Sequence, residues 1–149
     1  MIKKWVYGSL FVLILCFIFG NSMLSKEMSV AISQFVAGIL GGTPGEAPSD
    51  EGHTFVRKLA HFVEFAALGA VSHLFIDSLM RDKCKKYLTV ALIGASVPVV
   101  DETIQIFSSR GPALGDVWID MAGYAVGVAV IFAAFICLKA MTGKRDLSQ

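Results

Sequence analysis

Charge is scarce in this chain. Asp, Glu, Lys and Arg make up 17% of its 149 residues, against 55% hydrophobic, and that balance argues against a soluble domain. Cysteine is also rare: Cys16, Cys84 and Cys137 show no pairing logic, so no disulfide framework is implied. Of four prolines, only Pro98 falls inside a long apolar run. No Gly-rich phosphate loop is present, no Gly-x-Ser-x-Gly elbow surrounds Ser108 or Ser109, and no HExxH spacing occurs. These absences remove the usual signatures of nucleotide hydrolysis, α/β-hydrolase catalysis and zincin chemistry. The formal net charge of +1 gives no reason to expect a nucleic-acid partner.

What the chain has instead is length without charge. Four runs, at about residues 5–24, 59–79, 88–107 and 117–138, are apolar enough to cross about 30 Å of hydrocarbon as helices at about 1.5 Å per residue. They predict an all-α fold, an integral membrane four-helix bundle forming one domain over 1–149. Between the first two runs, Met28, Ala31, Ile32, Phe35, Val36, Ile39 and Leu40 recur at helical spacing. They predict a short amphipathic helix, lying in the interface or capping the bundle. The stretch GGTPGEAPSDEG that follows, residues 41–52, reads as a flexible tether.

Lys and Arg set the expected orientation. Lys3 and Lys4 precede the first run; Arg81, Lys83, Lys85 and Lys86 sit between the second and third; Lys139, Lys144 and Arg145 close the chain. By the positive-inside rule these segments are cytoplasmic, with both termini inside. Arg57 and Lys58 break the rule on the outer side, beside buried acids. The first run has the basic start of a signal peptide but no Ala-x-Ala site at Gly20-Asn21-Ser22-Met23, so it is expected to remain as a span.

Most of the strongly polar residues inside the last three spans share a depth. From helix rise alone, Glu64 lies about 7–8 Å below the outer edge, Asp101 about 9 Å, Glu102 about 7–8 Å, Gln105 about 3 Å and Asp120 about 4–5 Å. Facing agrees, at about 100° per residue: Asp101, Glu102 and Gln105 share one arc, and Asp116 and Asp120 share theirs with Gly123 and Gly127. Arg57 and His61 are i, i+4 neighbours, and Lys58, His61 and Glu64 follow at intervals of three. Pro98 removes a backbone donor one turn before Asp101, so a bend or loosening is expected there. Charge at such depth costs about 2.5–3.5 kcal/mol per group even on the mildest scale.

Two readings of this cluster remain open. One is an ion-paired lock in which Arg57, Lys58 and Arg110 neutralise Glu64, Asp101, Glu102, Asp116 and Asp120. The other is an outward-opening polar pocket that binds a ligand through those residues with His61 and Gln105. Acids outnumber bases five to three, so a lock leaves charge unmatched unless some carboxyls are protonated. His73 is expected to be structural, His53 solvated, and Asp77 paired with the basic link.

Three ordered blocks now carry a resemblance: RKLAHFVEFAALG at 57–69, DETIQIF at 101–107, and Arg110 followed by DVWIDMAGYAVG at 116–127. Together they resemble the VanZ-like family, whose members combine Arg-Lys-x-x-His-x-x-Glu, Asp-Glu-x-x-Gln and Arg-x(5)-Asp-x(3)-Asp/Asn. Asp120 stands where Asn is common. The resemblance implies a small multi-pass protein of the bacterial cytoplasmic membrane and cell envelope, from a family whose namesake is linked to resistance to the antibiotic teicoplanin. Three functions stay open. The first is engagement of a membrane lipid or lipid-linked cell-wall headgroup, with Arg57, Lys58 and Arg110 on phosphate. The second is an enzyme using His61, Glu64 and Glu102 as acid/base groups, or an oxygen-rich metal variant with His61, Glu64, Glu102, Asp116 and Asp120. The third is a proton-coupled transporter, disfavoured because the inner half of the spans holds almost no charge and no inverted repeat is visible. No resident cofactor or metal is expected, and the oligomeric state stays open.

Overall fold

A computed structural model describes residues 2–24, 28, 30–32, 35, 50–107 and 114–145, with side chains over 54–107 and 115–141 of the last two stretches. Four helices account for nearly all of it: α1 (Ile2–Ser22), α2 (Asp50–Leu79), α3 (Lys83–Phe107) and α4 (Leu114–Arg145). All four are long and apolar enough to cross a membrane, and no strand occurs among the described residues. The expected all-α four-helix architecture is therefore what the chain adopts.

The helix limits depart from the apolar runs in one instructive place. Helix α2 begins at Asp50, so residues 50–52 belong to a helix and not to the expected tether. Hydropathy does not register such a start, because residues 50–53 are polar or small in sequence. The remainder of the tether, residues 41–49, lies outside the described residues. So does most of the expected interfacial helix; of its apolar stripe, Met28, Ala31, Ile32 and Phe35 are helical and exposed. The link between α2 and α3 is only residues 80–82. Asp82 ends it as a cap: its carboxylate accepts from the Lys85 backbone N–H at 3.1 Å, and its carbonyl from that of Lys86 at 3.0 Å. Helix α3 continues unbroken through buried Pro98.

Helices α2 and α4 form the central pair, and small residues are the reason. A Cβ on Gly123 would run into the Phe62 carbonyl, one on Gly127 into the Ala66 carbonyl, and one on Gly69 into the Tyr124 carbonyl. Backbone thus lies against backbone along a Gly-x-x-x-Gly stripe. The pairings 62 with 123 and 66 with 127 rise together, so the two helices run parallel, with α3 returning between them in sequence. Helix α1 lies along α2 in the opposite sense: Phe11 stacks on Phe75 at 5.6 Å, while Asn21 reaches Glu64.

The bundle is apolar outside and sparingly packed inside. Among the described residues, Ile18, Phe65, Leu68, Ile76, Val90 and Tyr124 form the buried apolar core. Leu13, Phe17, Leu92, Val130, Ile136 and many others are exposed. In water such a surface would aggregate; hydrocarbon is its natural solvent. Tyr124 joins three helices, its ring against Gly94 and its hydroxyl donating to the Val90 carbonyl at 2.9 Å. Tyr124→Phe should lower unfolding stability by about 1 kcal/mol with no change in helix content, read by denaturant titration in micelles.

Candidate functional site

Basic and acidic residues gather at opposite ends of the bundle. Lys3 and Lys4 at the start of α1 share one end with the 80–82 link, where Asp77 accepts an ion pair from Lys86 at 2.6 Å, as expected. At the other end, four helices deliver polar side chains to one small volume. From α1 come Asn21 and Ser22; from α2, Arg57, Lys58, His61 and Glu64; from α3, Asp101, Glu102 and Gln105; from α4, Asp116 and Asp120.

Asp101 is the centre of this group and is fully buried. One carboxylate oxygen accepts from the Ser22 hydroxyl at 2.6 Å, the other from the Gln105 side-chain amide at 2.8 Å. His61 Nδ1 stands 3.8 Å from Asp101 and 3.7 Å from Asp120. Glu64, one helical turn further into the bundle, accepts from the Asn21 amide at 3.1 Å. Glu102 is buried beside its neighbour Asp101. Asp120 is 1% exposed, yet neither of its carboxylate oxygens has a hydrogen-bond partner among the described residues.

Arg57 and Lys58 do not reach this inner set. Arg57 donates to Asp116 at 3.1 Å and Lys58 lies 3.4 Å from the same carboxylate. The expected lock therefore divides into a partly exposed rim of two bases on one acid and an inner cluster of His61, Glu64, Asp101, Glu102, Gln105 and Asp120. Arg110 falls outside the described residues. Within the acid/base trio expected from sequence, His61 has Asp101 and Asp120 as its close carboxylates, not Glu64 or Glu102.

Two contributors were missed in the sequence: Asn21 and Ser22. Both lie at the far end of the first apolar run, at the depth of the other polar groups, so the counting that placed Glu64 and Asp101 would have found them. Neither stands in a motif with an ionisable residue, as Gln105 does with Asp101 and Glu102, so no charge marks them. His73, by contrast, sits far from the cluster among Tyr87, Phe132 and Phe135, with ring centres 6.1–6.5 Å away, a packing role. His53 has no described side chain.

Further along the same helices, toward the 80–82 link, an apolar cleft of about 600 Å³ opens between α2, α3 and α4, lined by His73, Tyr87, Gly94, Met121, Tyr124 and Phe132 among others. It starts at Met121, next to Asp120, and follows α4 to Phe132, about 17 Å along the helix axis. A larger groove of about 890 Å³ lies along α1 between Lys4 and Cys16 and is closed by Phe75 and Leu79, with no residue of the cluster in its lining.

Helices of this length and apolarity, closed around a buried polar cluster, define a multi-pass helical membrane protein. Residues 5–137 match the VanZ/LLP1 family model, and the chain belongs to that family. Comparison with curated proteins and with solved structures finds no match.

Proposed function

We propose that the polar end of the bundle faces the outside of the bacterial cytoplasmic membrane and engages the headgroup of a membrane lipid or lipid-linked cell-wall component. The observation that carries this reading is adjacency. A buried polar cluster and an apolar cleft about 17 Å long share the same three helices, which suits a ligand with a polar head and a hydrocarbon tail. The orientation is supported by the basic residues at the opposite end. At the rim, Arg57 and Lys58 would share their charge between Asp116 and a ligand phosphate. Further in, Glu64 and Glu102 would orient the rest of the head. Proton-coupled transport has less support, because the far half of the spans carries no matching relay.

Native mass spectrometry of the purified protein tests this, with phosphatidylglycerol and a polyprenyl phosphate as probes in nanodiscs. Wild type should retain a phosphate-bearing lipid. Glu64→Gln, Glu102→Gln and Arg57→Gln should accumulate in the membrane normally and bind it about 10- to 100-fold more weakly, the worth of one charge-assisted hydrogen bond. In cells, the same reading makes the protein a contributor to tolerance of teicoplanin-type antibiotics: deletion should raise susceptibility, restored by wild type and not by Glu64→Gln. Variants that bind lipid as wild type does would sink the headgroup reading. Variants that never accumulate would favour a structural lock.

A further inference from the structure

The inner cluster contains an arrangement that lipid-headgroup recognition does not require. One nitrogen of His61 and one carboxylate oxygen from each of Asp101 and Asp120 lie within 4.8 Å of one another, from three different helices, all buried. Two of those separations are 3.7 and 3.8 Å. Donor atoms that hold a single ion at about 2.0–2.2 Å stand about 3–4 Å apart, so these three need only close slightly around it.

Asp120 supplies the second, independent observation. Its side chain is 1% exposed and aimed into the cluster, and neither oxygen accepts a hydrogen bond from a described residue. A buried carboxylate without donors is strongly disfavoured. The nearest described cations do not relieve it, because Arg57 and Lys58 are turned to Asp116. Asp101 is differently prepared. Ser22 and Gln105 each donate to one of its oxygens, which orients the carboxylate as a supporting shell orients a metal ligand.

We propose that His61, Asp101 and Asp120 bind one divalent metal ion, held in place by Ser22 and Gln105 through Asp101. One imidazole and two carboxylates suit Zn²⁺, of borderline hardness, or Mn²⁺, a harder ion served by the two carboxylates, better than Ca²⁺ or Mg²⁺, which favour all-oxygen sites. Three protein ligands leave coordination positions open to water or to an oxygen of a bound ligand. The site stands apart from the headgroup reading, since it is complete without any lipid.

The test uses full-length protein in detergent, purified through a tag that contains no histidine. It is stripped with a chelator, loaded with micromolar Zn²⁺ or Mn²⁺ and desalted. Elemental analysis should find about one ion per chain, and the metal should raise the unfolding midpoint. Asp120→Asn and His61→Gln should each lower affinity at least about tenfold. Asp77→Asn, at the opposite end of the bundle, should bind as wild type does. Wild type that stays metal-free after loading, with an unmoved midpoint, overturns the proposal and leaves Arg110 as the natural counter-charge. So does undiminished metal in both ligand variants. Because metal is read without lipid and lipid without added metal, either proposal can fail while the other stands.

Discussion

Replacing Gly127 with leucine should leave no folded bundle to purify. At this position even a Cβ would overlap the Ala66 carbonyl and press on the Ala70 backbone nitrogen. Backbone cannot give way as a flexible side chain can. To admit leucine, α2 and α4 must separate along their whole contact, and that pulls Gly123 off Phe62 and Tyr124 off Gly69 as well. Overpacking in a well-filled core costs about 1–3 kcal/mol and sometimes more; here the loss of a neighbouring helix contact adds to it. A penalty of at least about 3 kcal/mol is expected, seen as loss of a cooperative transition in micelles and as rapid proteolysis in the membrane. Gly20→Leu is the control: nothing lies near a Cβ there, and its effect should be small. Equal behaviour of the two variants would show that α2 and α4 do not pack backbone to backbone.

The second large effect is expected at Asp101. Asp101→Leu strips acceptors from the Ser22 hydroxyl and the Gln105 amide together, stranding two buried donors at about 1–3 kcal/mol each. The expected loss is about 2–6 kcal/mol. Asp101→Asn is more informative than its mildness suggests. It keeps shape and an acceptor for Gln105, and its amide can donate to the Ser22 hydroxyl oxygen, so both contacts survive while the charge is lost. A double-mutant cycle of Asp101→Leu with Ser22→Ala separates loss of the Ser22–Asp101 hydrogen bond from general disruption. The pair should couple by about 1–2 kcal/mol in equilibrium unfolding. Additive effects would mean that Ser22 does not hold Asp101, and α1 would then reach the polar end through Asn21 alone among the described residues.

That role of α1 marks a boundary in what could be read in advance. Its apolarity announced a span, but a run of Leu, Ile and Phe carries no facing signal, and only Ile18 and Ser22 are buried along it. Asn21 and Ser22 became visible as partners of Glu64 and Asp101 only once α1 lay beside α2. Facing was readable on α4, where Gly123 and Gly127 recur at four with Asp120; all three are buried. The assignment of charges to partners was not. Arg57 and Lys58 had five acids to choose from within the uncertainty of depth, and both chose Asp116. A metal-ligand set was likewise hidden, since His61, Asp101 and Asp120 come from three helices and have no fixed spacing in the chain.

Apolar run length, residue rise and the count of bases along the chain are one-dimensional quantities. From them alone came four spanning helices, the gathering of acids near one end, and the glycine stripe on the last helix. Lateral neighbours are different in kind. Which helix lies against which, how close they come and whose lone pairs face whose donors depend on packing across the bundle, where residues 40 to 80 apart in sequence meet. Only the folded chain decided that His61 stands between two aspartates while the nearby bases turn away.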